Sequence, residues 1–231
     1  MRLLSWNIGR VYPFGDRFPF APLIPGIART LNAAKPDVIL LHEVFGHPVR
    51  AALLERLERD YDWGMTWMPR SDRETLIFFP KGSPLQTEEL LAPGGRSMLL
   101  AQGEIDGLPI RLVAAHACAY EPEDRRTFFD TLFERLEQGE RAPLEIVAGD
   151  FNLVYRHAQG LDGELLERLM SEFKDTDPDG THTFLGIARL DYVLYRNTAD
   201  VQVSTEFSCL HGELQPLQDH DPVVVDFKIA T

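Results

Sequence analysis

Short apolar runs, each closing on polar side chains, recur along almost the whole of this chain. Leu3–Trp6 precedes Asn7, Val38–Leu41 precedes His42-Glu43, Leu112–Ala115 precedes His116, and Leu144–Ala148 precedes Gly149-Asp150-Phe151-Asn152. Runs this short and this rich in Val, Ile and Leu read as buried strands. The polar residue after each run is then delivered to the strand's carboxyl end, where open α/β sheets bind ligands. Asp150 and Asn152, two apart, point to the same side, so one can orient a water while the other holds a phosphate oxygen.

Strands are expected near 2–8, 37–43, 62–68, 74–79, 96–105, 109–117, 144–149, 190–196, 201–208 and 222–229, and helices over 25–34, 47–59, 123–138 and 162–173. The helical stripes, such as Phe129, Leu132, Phe133 and Leu136, face a core. The turn Asp106-Gly107-Leu108 predicts a hairpin, hence antiparallel pairing within mixed sheets covered by helices. Trp63 and Trp67, with Met65 and Met68, alternate as one face of a strand should and are expected in the core. No repeat, low-complexity tract or long linker interrupts the chain, so residues 1–231 are expected to form a single domain.

The sequence holds 231 residues, 44% of them hydrophobic, and carries a formal charge of −13. That acidity argues against a surface that grips nucleic acid by counterion release alone, though it leaves room for a local basic groove. No apolar stretch is long enough to cross a bilayer and no signal-peptide core follows Met1, so the expected location is cytoplasmic and the expected state a monomer. Cys118 and Cys209 have no knuckle or redox-pair spacing and read as buried free thiols. His42-Glu43-Val44-Phe45-Gly46-His47 has one residue too many for a zinc-protease helix, and no nucleophile elbow or phosphate-binding Gly-rich Lys loop occurs.

Further polar residues sit at the ends of two more apolar runs: Asp191 within Arg189–Tyr195, and Asp219-His220 just before Pro222–Val225. Each has a bland alternative. Asp150 could cap a helix starting near Leu153, Glu43 could be a solvated edge residue, His116 a core histidine and His220 a turn residue. Asp191 is hardest to set aside, because a carboxylate among apolar residues is costly without a partner.

Taken in order, Trp6-Asn7-Ile8, Leu41-His42-Glu43, Ala115-His116, Gly149-Asp150-Phe151-Asn152, Arg189-Leu190-Asp191-Tyr192 and Asp219-His220-Asp221-Pro222-Val223 resemble the endonuclease/exonuclease/phosphatase superfamily of metal-dependent phosphoesterases. The resemblance implies a DNase I-like four-layer sandwich, two mixed β-sheets packed face to face and flanked by helices. It implies Mg²⁺ held by Glu43 with Asn7 assisting and Asp219 nearby, with Mn²⁺ able to substitute. Asp150 would orient and deprotonate the attacking water, and Asn152 would donate to a phosphate oxygen. His220, its ring held by Asp191, would meet the phosphate, and His116 would contact the phosphate or assist the leaving group.

Three departures bear on substrate. His42 stands where many members have Gln, Gln218 where many have Ser, and Asn7-Ile8-Gly9-Arg10 lacks the Asp common in nuclease-like members. Basic residues in expected loops, Arg10, Arg17, Arg70, Arg73, Lys81 and Arg96, are candidate substrate contacts, with Arg10 and Arg96 foremost. The resulting expectation is a Mg²⁺-dependent phosphodiesterase, a nuclease or DNA-end-processing enzyme acting on nucleic acid by in-line water attack. Two alternatives are a phospholipid, sphingomyelin or inositol-phosphate phosphoesterase, touching lipid through Phe14, Phe18 and Phe20 of the Tyr12–Pro22 loop, and a non-catalytic binding module.

Overall fold

The computed structural model describes residues 1–9, 23–66, 73–92, 96–138, 141–154, 160–198, 200–211 and 218–230. In chain order the elements are β1 (Arg2–Asn7), α1 (Leu23–Ala34), β2 (Val38–Phe45), α2 (Gly46–Leu57), β3 (Tyr61–Met65), β4 (Arg73–Pro80), β5 (Gln86–Ala92) and β6 (Arg96–Ile105). They continue with β7 (Leu108–His116), α3 (Pro122–Glu137), β8 (Leu144–Asp150), α4 (Leu161–Glu172), β9 (Lys174–Asp175), β10 (Asp191–Asn197), β11 (Gln202–Cys209) and β12 (Val223–Ala230).

The strands form two six-stranded sheets, ordered β11-β12-β1-β2-β4-β3 and β5-β6-β7-β8-β10-β9. Only β1/β2 and β7/β8 are parallel among these pairs, so both sheets are mixed, as expected. Alternation along each strand builds three apolar layers. Leu3, Leu40, Leu112 and Ile146 fill the space between the sheets. Leu4, Trp6, Ile39 and Leu41 face α1 and α2 on one outer side, while Val113 and Val147 face α3 and α4 on the other. A strand covered on both faces has no polar side to show, which is why these runs are almost wholly apolar; the buried Glu145 of β8 is paired with Arg111 of β7 at 3.0 Å. The outcome is the four-layer sandwich.

Helix α3 shows the local logic. Pro122 sits in its first turn with Glu123 and Asp124, Arg135 sits in its last, and Phe128, Phe129, Leu132, Phe133 and Leu136 are buried.

Two strands escaped the sequence reading. Gln86–Ala92 is an edge strand whose first residues are exposed, so its polar Gln-Thr-Glu-Glu start hides it, and Lys174–Asp175 is a two-residue pairing. The expected three-residue turn is a two-residue one: Ile105 pairs with Leu108, and Asp106 and Gly107 take φ of 53° and 81°. Trp63 is 40% exposed on the edge strand β3, not core, because no strand lies beyond it to cover it. Trp67 and Met68 fall outside the described residues. Both cysteines are half-buried rather than buried.

Candidate active site

The two sheets bring their functional residues together at one end of the sandwich. In the second sheet His116 pairs with Asp150 across β7/β8, and Asp150 pairs with Asp191 across β8/β10. Three chemically active side chains thus stand in a row on adjacent strands. In the first sheet Asn7 pairs with His42 across β1/β2. The Asn7 amide Nδ2 then crosses between the sheets and donates to Asp150 Oδ2 at 2.9 Å.

Each carboxylate is set by its backbone. Phe151 is buried between Asp150 and Asn152, edge-on to Phe129 and stacked on Tyr192, whose hydroxyl donates to Leu153 O at 2.7 Å. Residues 151–154 are not helical, so Asp150 caps no helix there; its Oδ1 accepts from the Asn152 backbone N–H at 3.0 Å. Gly149 has φ of 141°, and a Cβ on it would lie 2.0 Å from Ala115 O and 2.8 Å from the His42 ring. Only glycine fits where strand and ring approach this closely. Glu43 has φ of 53° in an irregularity of β2 that shifts its register against β4 between Leu41 and Val44. A bulge of this kind re-aims one side chain, and here it carries Glu43 to within 3.4 Å of His116 Nε2.

His116 joins the halves, its Nε2 lying 3.8 Å from Asp150 Oδ2 as well. Its Nδ1 is 3.3 Å from Arg96 Nη1. A guanidinium can only donate, so Nδ1 accepts and the imidazole proton sits on Nε2, facing both carboxylates.

His220 Nδ1 is 2.8 Å from Asp191 Oδ2, and its Nε2 is 3.7 Å from Asp150 Oδ2. The Trp6 indole donates to His220 O at 3.0 Å, and Phe184 packs edge-on against the ring at 4.9 Å. Burial by itself would lower the His220 pKa, but the charges of Asp191 and Asp150, the hydrogen bond to Asp191 and the charge of Asp219 raise it to about 10. The ring is therefore an imidazolium, suited to donate to an anion. Burial pushes Asp150 up to about 7, with Asp191 adding to the rise while His220, Asn7 and the Asn152 N–H oppose it. A carboxylate poised near neutrality suits a general base.

The donor set fits a hard cation. A Cβ on Gly9 would lie 2.3 Å from Glu43 Oε2 and 2.9 Å from Asn7 Oδ1, so the side-chainless residue leaves space beside two side-chain oxygens of the kind such a cation takes. Asp150, Asp191 and His220 also offer ligand atoms within 4.8 Å of one another, close enough to hold a metal. Asp219 is buried beside His220, its carbonyl accepting from Leu185 N at 2.8 Å. The Asn152 amide donates to Ala117 O at 3.0 Å, leaving one Nδ2 hydrogen for another acceptor.

The chain belongs to the endonuclease/exonuclease/phosphatase family. The family model matches residues 4–220. Membership makes the protein a phosphoric ester hydrolase, which sets aside the reading as a non-catalytic module. Among solved structures, truncated Caenorhabditis elegans TDP2 is similar with 19% identity and a TM-score of 0.74, covering 98% of this chain and 96% of that one. Danio (D. rerio) TDP2 complexed with single-strand DNA product gives 17% identity and 0.76, covering 99% and 98%. The human nocturnin catalytic domain with bound sulfate gives 20% identity and 0.71, covering 100% and 94%. At these identities the likeness shows the fold. No curated protein sequence matches.

Several roles were missed by sequence reasoning. Thr183 Oγ1 accepts from the backbone N–H groups of Leu190 and Asp191 at 3.2 and 3.1 Å, and so sets the position of Asp191. Arg189 is buried against Asp175 at 2.7 Å and lies over the Tyr192 ring, a structural anchor beneath the site. Gln218 Nε2 reaches Ile8 O at 3.3 Å, tying the His220 loop to the Asn7 segment. Lys81, a candidate contact, pairs with Asp62 at 2.8 Å on the surface. Arg10, Arg17, Arg70 and the Tyr12–Pro22 segment lie outside the described residues. Among the described residues, no helix is long and apolar enough to cross a membrane.

Proposed function

We propose that this hydrolase is a Mg²⁺-dependent phosphodiesterase acting on nucleic acid, with Mn²⁺ able to replace Mg²⁺, and that it works as a single-domain, monomeric, cytoplasmic enzyme. The observation that carries the reading is the position of Asp150. Asn7 reaches it from the opposite sheet, His116 and His220 flank it, and Asp191 stands behind His220.

In this reading a water lies in line with the scissile P–O bond, and Asp150 takes its proton as the new O–P bond forms. His220, charged and held by Asp191, donates to a non-bridging oxygen as negative charge builds there. The free Asn152 amide hydrogen binds a second phosphate oxygen. His116, with its proton on Nε2 and Arg96 beside it, donates a hydrogen bond to the phosphate or to the departing oxygen, while Arg96 and Arg10 contact the substrate's phosphates. Mg²⁺, held by Glu43 and Asn7 with Asp219 nearby, would neutralise phosphoryl charge and stabilise the leaving oxygen.

The nucleic-acid assignment draws on D. rerio TDP2, solved with single-strand DNA product. The test is a panel of plasmid DNA, abasic and 5′-blocked oligonucleotides, RNA, sphingomyelin and inositol phosphates, each with Mg²⁺ and with Mn²⁺. Turnover confined to the nucleic acids is the expected result; turnover of the lipid or inositol phosphates alone would replace it with the lipid reading.

A further inference from the structure

A second cluster of ligating side chains lies beyond the site just described. Cys209 ends β11 opposite Val223, and the pairing continues past the strand, with Leu210 N donating to Pro222 O at 2.9 Å. Continued by one more residue on each side, that antiparallel register sets His211 opposite Asp221. The chain then turns at Leu210, His211 N donating to Cys209 O at 3.1 Å, and this brings the His211 ring back beside Cys209. Three different ligand types therefore converge across a hairpin: Cys209 Sγ is 3.7 Å from His211 Nδ1, and His211 Nδ1 is 2.8 Å from Asp221 Oδ2. All three ligand atoms lie within 4.8 Å of one another.

We propose that Cys209, His211 and Asp221 form a metal site for a thiophilic divalent cation such as Zn²⁺, separate from the oxygen-rich place beside Glu43. Thiolate and imidazole select Zn²⁺ over Mg²⁺, which prefers oxygen. Around a tetrahedral Zn²⁺, with Zn–S about 2.3 Å and Zn–N about 2.0 Å, sulfur and nitrogen stand roughly 3.5 Å apart, close to the 3.7 Å found here. His211 and Asp221 are nearer than two ligands of one ion, and the His211 side chain, 55% exposed, is free to swing outward by the few tenths of an ångström required. Binding forms an Sγ–metal bond and releases the thiol proton to solvent. Three protein ligands leave a fourth position for water. Sequence spacing alone hides the cluster, because Asp221 reaches the other two through strand pairing.

Cobalt(II) titration of the purified, metal-stripped full chain tests the assignment. The expected result is one thiolate-to-cobalt charge-transfer band, lost on adding Zn²⁺, absent in Cys209→Ser and retained in Cys118→Ser and Glu43→Gln. His211→Ala, a change at an exposed side chain that leaves the fold intact, should weaken cobalt binding at least about tenfold. A folded wild-type chain without the band, or a band that survives Cys209→Ser, overturns the proposal. Phosphoesterase activity is not the readout, so failure here is distinct from failure of the hydrolase mechanism.

Discussion

Acidification below pH 6.5 should cost this fold stability at one buried residue, His42. The ring is wholly buried, with Nδ1 3.3 Å from Thr75 Oγ1 and the face of Gly149 against it. Burial lowers its pKa from 6.5 to about 4, the charge of Asp191 opposing the shift and that of His220 adding to it. The folded state thus takes up a proton later than the unfolded chain does. Stability from the neutral ring is fully present above 6.5 and is lost progressively as pH falls towards 4. Linkage gives a loss of about 2 kcal/mol at about pH 5, and about 3 kcal/mol once both states are protonated. In urea that corresponds to a midpoint shift on the order of 1 M.

The assay is equilibrium urea unfolding of wild type and His42→Gln at about pH 7.5 and about pH 5. Gln is the residue many members of the resembling superfamily carry at this position. His220 and Asp150 run the opposite way: the raised His220 pKa contributes stability below 6.5 that is lost as pH rises through about 10, and the penalty of the raised Asp150 pKa is relieved as pH falls from about 7 towards 3.8, equally in wild type and variant. The difference between wild type and variant therefore isolates His42. The wild type should lose about 2 kcal/mol more than the variant on acidification; equal losses would refute the assignment of the buried neutral ring.

Replacing Asp191 by Asn removes the charge that does most to hold the His220 imidazolium, so the alkaline limb of the kcat profile should move to lower pH, with KM changed less than kcat. An unmoved limb would show that His220 does not act as the charged donor. Gly149→Ala places a Cβ 2.0 Å from Ala115 O at φ of 141°, and should destabilise by at least about 2 kcal/mol in thermal or urea unfolding. A loss within about 0.5 kcal/mol would mean that the β7–β8 approach relaxes freely.

The layers of the sandwich were legible because two covered faces favour strands that are almost wholly apolar, as in Val38–Leu41 and in Leu144–Ala148, where the buried Glu145 is paired with Arg111. The edge strand Gln86–Ala92 was not, since its exposed first residues, Gln86, Thr87 and Glu88, are polar and break the apolar run. The site divides similarly. Asp150, Asn152, Asp191 and His220 stood out as polar groups at apolar strand ends. Trp6 and Gln218 were visible only as motif positions and Thr183 not at all, because their roles arise only where the two sheets and the His220 loop meet. Glu43 was visible as a residue, but the backbone irregularity that aims it at His116 has no signature in Leu41-His42-Glu43-Val44.

The central claim is that Asp150 takes the proton of the attacking water at the junction of the two sheets. Its most direct test is steady-state Mg²⁺-dependent hydrolysis of a generic diester such as bis-nitrophenyl phosphate by Asp150→Asn, an isosteric change that keeps a group for Asn7 to bond. The account predicts a fall in kcat of about 10²-fold or more, in a variant whose circular dichroism shows the fold retained. A folded variant that retains activity within about tenfold of wild type would contradict it.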